Sequence, residues 1–473
     1  MSYITRRYFA SRSAKVLAGS VAAVSLFGSA LPVSAQKRKP NFIILFADDM
    51  GYGDWEGGGH PTIRTPNLMK MAREGVTISQ FYSGCAVCSP SRAALLTGRN
   101  YIRTGVTKVF FPGDERGMPV SEITIADALK SHGYTTACIG KWHLGGEPAF
   151  RPDKQGFDFY FGLLHSNNMF DFKLYRNNEI IEDPVDQSTL TKRYTEEAIG
   201  FIEREQERPF FLYLPYTMPH VPVYASEKFL GKSLNGIYGD AVEEIDWSVK
   251  QLIDSLKRLG LSENTLVMFT SDNGPASYKP VPRGTAGIFR GCKGDTWEGG
   301  MRVPFIAWWP GTLPAGTVSH AVGSVVDLFP TCLAATGIPL PDDRPYDGID
   351  LSPVFDGNSR PERTIYYYRE DELYAVRHGK WKLHFKVYDY PGGDYHSEPR
   401  KVRTPEQPLL FDLEIDPSEQ YECASENPDV VKRLITIADN YSAEIVHNNE
   451  NRDLIVWFNN EFTKKDHKLT GKN

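Results

Sequence analysis

The sequence predicts an α/β protein: a large, mixed, mostly parallel sheet sandwiched by helices, then a smaller C-terminal antiparallel sheet with one packed helix. Three observations predict it. Short apolar runs of strand length recur and each ends at a polar cluster; helical patterns with start and stop residues lie between them; and the alternation weakens after about Leu340. With 473 residues, 41% of them hydrophobic and 24% charged, the chain is an ordinary globular protein too long for one typical domain. A large domain over residues 36–345 and a smaller one over 346–473 are expected.

Residues 1–35 read as a leader. They hold Arg6, Arg7, Arg12 and Lys15 with no acid, a small and mildly apolar run over 16–32, and Val33-Ser34-Ala35 as a cleavage site before Gln36. Arg6-Arg7 followed by Tyr8-Phe9 resembles a bacterial twin-arginine signal, with a plain secretory signal or an uncleaved anchor as alternatives. The expectation is passage through export machinery to the periplasm or the exterior. No other stretch is apolar for long enough to span a bilayer. Without the leader's cations the remainder is more acidic than the formal net charge of -6, which excludes a general nucleic-acid binder. An anionic substrate would then need a local cluster of cations.

The strand-like runs follow in order. Residues 42–46 lead into Asp48-Asp49, 134–139 into Lys141 and His143, 210–213 towards His220, and 266–270 into Asp272-Asn273. Helical patterns cover 65–75, 123–132 and 238–259, each closed by or just before a glycine. Ligands collect at the carboxyl ends of parallel strands, so the four polar clusters should converge on one edge. Beyond Leu340, strands are expected over 364–368, 374–377, 381–385 and 409–413, with a helix over 429–445. Six cysteines do not make a disulfide scaffold. One pair among Cys138, Cys292, Cys332 and Cys423 has the chance to bridge after export, and spacing does not select it. Cys85 and Cys88 form a C-x-x-C, but no second such pair or His pair at ligand spacing accompanies it, so a zinc site lacks ligands.

The most informative segment runs from Cys88 through Ser89-Pro90-Ser91-Arg92 to Leu96-Thr97-Gly98. By local rules it starts a helix, with Ser89 as cap, Pro90 at the first helical position and Gly98 ending the run. Cys88 then sits at a helix N-terminus, where backbone N–H groups favour an anion and should lower a thiol pKa. Here the sequence resembles the formylglycine sulfatases of the alkaline-phosphatase-like superfamily. Their C-x-P-S-R-x-x-x-L-T-G signature is matched at every fixed position, and the resemblance runs from about Pro40 to the C-terminal helix.

The resemblance implies that a formylglycine-generating maturation enzyme oxidises Cys88 to an aldehyde, which hydrates to a diol. It also implies one calcium ion held by Asp48, Asp49, the converted Cys88, Asp272 and Asn273. Hard oxygen ligands of that kind suit calcium or magnesium rather than zinc. Gly51-Tyr52-Gly53-Asp54 extends the opening motif, Lys141 and His143 lie in a G-K-W-H element, and His220 and Lys293 match the last two family positions. Taken singly these are a solvated loop, a turn or a structural histidine; their joint placement at strand ends lifts them above that. Residues 298–304, which also match, read as a structural turn feeding a strand over 305–309.

Charge accounting then gives a mechanism. Calcium, Lys141, Lys293 and the helix N-terminus neutralise the sulfate oxygens, and one diol hydroxyl held by Arg92 attacks sulfur. His220 and Lys293 serve the leaving oxygen, and His143 deprotonates the second hydroxyl so that the sulfated enzyme collapses to aldehyde and sulfate. The phrases around Pro222-Val223-Tyr224, Tyr238-Gly239-Asp240 and Trp308-Trp309-Pro310 look similar to the arylsulfatase A and N-acetylgalactosamine-6-sulfatase branch. That favours a sulfated galactose-type sugar. Lys141, His220 and Lys293 would bind the sulfate, with Trp55, His60, His165, Asn167, Asn168 and Tyr278 as sugar-subsite candidates. The rivals are a phosphodiesterase or phosphonate hydrolase of the same superfamily, and a non-catalytic sulfated-glycan-binding protein that keeps Cys88 as a thiol.

Overall fold

Ten strands join in one sheet, whose central apolar runs over residues 41–47, 210–215 and 265–271 are buried along their whole length. The computed structural model describes residues 38–170, 172–277, 283–389, 401–447 and 450–459. In chain order the strands are β1 (Asn41–Ala47), β2 (Val76–Tyr82), β3 (Thr135–Lys141), β4 (Phe159–Leu163) and β5 (Leu174–Arg176). They continue with β6 (Glu179–Glu182), β7 (Phe210–Pro215), β8 (Thr265–Ser271), β9 (Ile306–Trp308) and β10 (Thr317–Ser324). The spatial order is β10-β2-β9-β8-β1-β7-β3-β4-β5-β6. Strands β8, β1, β7, β3 and β4 are mutually parallel, whereas β9 runs antiparallel to both its neighbours and β5–β6 is an antiparallel edge hairpin.

Along β1, successive side chains enter opposite cores, as strand geometry requires. Phe42, Ile44 and Phe46 join one apolar cluster, and Ile43, Leu45 and Ala47 join the other. The first cluster takes in residues of α2 (Cys88–Thr97), α4 (Ile125–Lys130) and α8 (Leu328–Thr336); the second takes in residues of α1 (Pro66–Glu74), α5 (Leu190–Glu205) and α6 (Gly236–Arg258). Helices therefore cover both faces. The short helices α3 (Tyr101–Thr104) and α7 (Glu298–Met301) lie in connections. Register brings the central strands to an end together: Phe46 pairs with Pro215, Ala47 with Ser271, and Lys141 with Leu163.

The C-terminal region forms a second, antiparallel sheet of β11 (Thr364–Arg369), β12 (Glu372–His378), β13 (Trp381–His384) and β16 (Leu409–Asp412). A separate two-stranded ribbon is formed by β14 (Val387–Asp389) and β15 (Lys401–Arg403), and α9 (Pro428–His447) packs Leu434 and Ala438 against Val376, Leu383 and Leu410. Cys138 and Cys332 are buried thiols, and Cys423 is a half-buried thiol. No helix among the described residues is long and apolar enough to cross a membrane. The expected leader lies outside the described residues.

Residues 298–301 do more than turn the chain. Glu298 is fully buried and accepts from Lys382 Nζ at 2.9 Å, Tyr82 OH at 2.5 Å and Tyr367 OH at 3.1 Å. Its backbone N–H donates to Glu419 Oε2 at 2.7 Å, and Glu419 Oε1 meets Lys382 at 3.0 Å and His384 at 2.7 Å. Burial would raise the Glu298 pKa, but Lys382, Arg302 and Arg377 outweigh it and hold the carboxyl at about 2. A depressed carboxyl adds stability that is present above the unfolded-state value of 4.5 and lost as pH falls through about 2. The decline in unfolding temperature over that window should therefore be shallower in Glu298→Gln than in the wild type. Lys382→Met strands two buried carboxylates and should cost about 3–5 kcal/mol in denaturant unfolding at neutral pH. A cost below about 1 kcal/mol, the scale of a solvent-exposed pair, would contradict this account of the cluster.

Candidate active site

Because the central strands end level, residues at or just beyond the ends of β1, β3, β4, β7 and β8 meet: Lys141 closes β3, and Asp48, Ser166, His220 and Asp272 follow the other four. Asp48 accepts from Lys141 Nζ at 2.6 Å and lies 3.5 Å from Arg92 Nη2. Lys141 also donates to Ser166 Oγ at 3.1 Å. Asp49 adopts a left-handed φ of 65°, its N–H donates to Asp272 Oδ1 at 3.0 Å, and its Oδ1 meets Lys293 Nζ at 2.6 Å and Asn273 Nδ2 at 2.8 Å. Three carboxylates thus face Arg92, Lys141 and Lys293.

The α2 tip completes the cluster. Its cap residue is Val87, not Ser89; Ser89 lies inside the helix and accepts from the Phe110 N–H at 3.3 Å. No side chain caps the helix, so its first N–H groups are left for an anion. Gly98 ends the helix at φ 67°, and an added Cβ would stand 2.8 Å from Phe329. Cys88 Sγ lies 3.7 Å from Asp48 Oδ1 and 3.4 Å from Lys293 Nζ. The expected drop in thiol pKa does not occur. Burial pushes the Cys88 thiol up to about 12, against Lys141 and Lys293 and with help from Asp48 and Asp272. Arg92 donates to the Lys141 carbonyl at 2.9 Å and to Asp272 Oδ2 at 2.8 Å. Burial opposes its charge, but Asp272 and Asp48 prevail and raise its pKa. For Asp272, burial and Asp48 raise the pKa to about 6 against Arg92, Lys141 and Lys293.

The histidines are held in defined tautomers. His143 Nε2 faces the Phe110 carbonyl at 3.0 Å and must donate, which leaves buried Nδ1 as an acceptor with no hydrogen-bond partner among the described residues. Burial, Lys141, Arg92 and His165 keep its pKa well below the usual value. His220 Nδ1 faces two acceptors, Asn167 Oδ1 at 2.9 Å and the Val221 carbonyl at 2.6 Å, so its Nε2 presents a lone pair 3.6 Å from Asp49 Oδ2. Burial and Lys293 depress His220, with Asp49 opposing.

The cluster fits a divalent cation. Asp49 Oδ2 and Asn273 Oδ1 are buried oxygens with no hydrogen-bond partner among the described residues, an expensive state unless an ion completes it. Ligand atoms of Asp48, Asp49, Cys88 and His220 lie within 4.8 Å of one another. Asp272 accepts from the Asp49 N–H through one oxygen and from Arg92 through the other, which leaves each oxygen a further lone pair, and His220 also lies in the group.

The subsite candidates separate. Trp55 is 6% exposed and sits in the apolar core, so it offers no sugar platform. His60 accepts from the Thr62 and Ile63 N–H groups at 3.2 and 3.0 Å and closes its own loop. His165 is buried with its ring centroid 6.5 Å from that of His143. Asn167 is buried and donates to Gln187 Oε1 and the Pro222 carbonyl, both at 3.0 Å, which orients its oxygen at His220. Asn168 is exposed, and Tyr278 lies outside the described residues. Ser166 and Gln187 escaped the sequence reading; position beyond a strand end was the only signal for Ser166, and Gln187 gave none.

Residues 40–338 match the Sulfatase family, and residues 360–463 match the C-terminal region of aryl-sulfatase. The chain belongs to the sulfatase family. This sulfatase is 40% identical over 468 residues to N-acetylgalactosamine-6-sulfatase of Canis lupus familiaris, covering 89% of each chain. It is 37% identical to arylsulfatase A of Homo sapiens, covering 85% of this chain and 87% of the relative. A crystal structure of a sulfatase from Pseudoalteromonas sp. superposes with a TM-score of 0.80 at 29% identity, covering 88% of this chain and 92% of that one. The enzyme is accordingly a sulfuric ester hydrolase with the mostly parallel α/β fold expected. Since Asn167 fixes His220 without facing solvent, Asn167→Ala should lower turnover of an aryl sulfate about 10- to 100-fold, the range for outer partners of site ligands. Unchanged turnover would show that His220 needs no such anchor.

Proposed function

We propose that this sulfatase cleaves a sulfate ester on a galactose or N-acetylgalactosamine type sugar of a sulfated glycan, using formylglycine made from Cys88 and one calcium ion. The observation that carries the reading is a buried thiol at an uncapped helix tip, 3.4 Å from Lys293 and 3.7 Å from Asp48. Burial keeps that thiol protonated at neutral pH, and a protonated thiol is a poor nucleophile. The position therefore gains its purpose from modification. The names of the curated relatives support the sugar class.

Asp48, Asp49, Asp272 and Asn273, with residue 88, would hold the ion, which supplies Lewis-acid charge stabilisation when bound while the hydrated aldehyde supplies the nucleophile. The remaining roles belong to the chain. Lys141, Lys293 and the first N–H groups of α2 donate to the negative sulfate oxygens. Arg92 is locked between Asp272 and the Lys141 carbonyl, one helical turn after residue 88, and would hold the diol of that residue. His143 presents Nδ1 as base, because Nε2 is spent on Phe110. His220 presents Nε2, and with Lys293 it serves the leaving oxygen.

Residues 1–35 act as an export leader of twin-arginine type, with 36–345 as catalytic domain and 346–473 as its C-terminal companion. Formylglycine is made on unfolded chain, whereas the twin-arginine route carries folded protein, so maturation precedes export to the periplasm or exterior. Mass spectrometry of the Cys88 peptide, from a host that makes formylglycine, is expected to show loss of sulfur and gain of oxygen. Cys88→Ala should abolish sulfate release. An intact thiol alongside full turnover, or turnover retained in the variant, would overturn the reading.

A further inference from the structure

Two loops of the catalytic cluster lie backbone against backbone, joined by a buried carboxylate that the sulfate chemistry does not use. Asp54, in the loop after β1, is fully buried. Its Oδ2 accepts from the Gly51 N–H and from the Tyr238 hydroxyl, both at 2.6 Å, and its Oδ1 accepts from the Thr285 N–H at 2.7 Å. One side chain thereby joins the loop that carries Asp48 and Asp49, the first turn of α6, and the segment that runs from Thr285 to Lys293. Beside it the Gly53 N–H donates to the Thr285 carbonyl at 3.1 Å. The approach is so close that a Cβ on Gly51 would stand 2.3 Å from the Thr285 carbonyl oxygen, and one on Gly284 would stand 2.3 Å from Asp54 Oδ2.

The Lys293 segment is tied at both ends to the turn that carries Asn273. The Ser277 hydroxyl donates to the Gly284 carbonyl at 2.8 Å, and the Lys293 N–H donates to the Pro275 carbonyl at 2.9 Å. At its far end the Lys293 ammonium stands 2.6 Å from Asp49 Oδ1. The Tyr238 hydroxyl lies 3.4 Å from the Asp49 carbonyl oxygen, so the Asp54 joint also braces the backbone of that aspartate. Holding three donors takes an acceptor at both oxygens, which an ionised carboxylate supplies and an amide does not. None of the three donors is a cation, and burial pushes the Asp54 carboxyl up to about 7 against their hydrogen bonds. A costly buried carboxylate kept at the joint of two site loops points to a role beyond packing.

We propose that Asp54 is a positioning residue for ester hydrolysis: it locks the Lys293 segment to the Asp48-Asp49 loop, so that one joint sets both the ion-binding oxygens and the stance of the Lys293 ammonium. This rests on the ion-assisted reading given above and deepens it. Lys293 serves negative charge that develops on the leaving oxygen as the ester bond breaks, so its displacement acts on kcat more than on KM. The same slip moves Asp49 against Asn273 and loosens the ion.

The test measures three quantities in each variant: kcat and KM for 4-nitrophenyl sulfate per folded molecule, calcium affinity by calorimetry on chelator-stripped protein, and the urea unfolding midpoint. Asp54→Asn keeps the shape but sets an amide N–H against donors. It should lower kcat about 10- to 100-fold and weaken calcium about tenfold, with KM within about threefold. Tyr238→Phe leaves both backbone bonds to Asp54 in place and should lower kcat about fivefold, the scale of one hydrogen bond. Asp246→Asn is the comparison for a merely structural carboxylate. Asp246 is buried and accepts from the Leu68 N–H at 2.7 Å and the Asn67 amide at 2.6 Å, both on α1. That variant should lower the midpoint yet keep kcat and calcium affinity within about twofold. A lowered midpoint with kcat and calcium affinity unchanged in Asp54→Asn or, where that variant does not fold, in Tyr238→Phe would overturn the proposal and leave the ion-assisted reading standing. A wild-type chain that binds no calcium would remove that reading and the proposal with it.

Discussion

Three carboxylates taken out of water at one sheet edge set the terms for everything around them. Asp48, Asp49 and Asp272 are at most 2% exposed. Each would cost several kcal/mol if left uncompensated, so the fold must deliver cations to them. It does so one for one, with Arg92 from α2, Lys141 from the end of β3 and Lys293 from the loop before α7. A cluster balanced in this way would become doubly positive with a divalent ion bound, and the single negative charge of a sulfate monoester would offset half of that excess. Ion and anion therefore favour each other's binding, which is the condition a sulfate-transferring site needs.

The rest of the architecture keeps that balance in place. Level strand ends fix the two aspartate loops against each other through the Asp49 N–H to Asp272 bond. Glu298, Lys382 and Glu419 pin the loop that carries Lys293 to the C-terminal sheet, and the Gly274 N–H donates to the Gly300 carbonyl at 2.9 Å, which ties the Asn273 turn to the same segment. Arg290 adds to this clamp, with its guanidinium 3.8 Å above the Trp297 ring and its backbone carbonyl accepting from Gly299. The C-terminal sheet thus acts on the site at a distance, by setting where one ammonium group stands.

Much of the site could be read from the chain because its members follow apolar strands directly: Asp48-Asp49 after β1, Lys141 at the end of β3, and Asp272-Asn273 after β8. The helix after Cys88 was equally plain from Pro90 and Gly98, although its cap fell at Val87. What local pattern could not supply was partnership across long separations. Nothing near Glu298 announces Lys382, and nothing near Asn167 announces Gln187. Exposure failed for the same reason. Trp55 sits in a polar, glycine-rich stretch that resembles a binding loop, and packing against the strand-helix layer on one side and Gly57 on the other buries the ring. Helix-tip electrostatics are local and visible in the chain whereas burial is not, and burial is what raises the Cys88 thiol pKa.

Titration of chelator-stripped protein with calcium, followed by calorimetry, bears most directly on the claim that these opposed charges await an ion. One ion per chain should bind, and Asn273→Leu, which removes one of the two unpartnered oxygens, should weaken it by about tenfold or more while the fold survives. No heat of binding to the wild-type chain, or equal affinity in the folded variant, would contradict it.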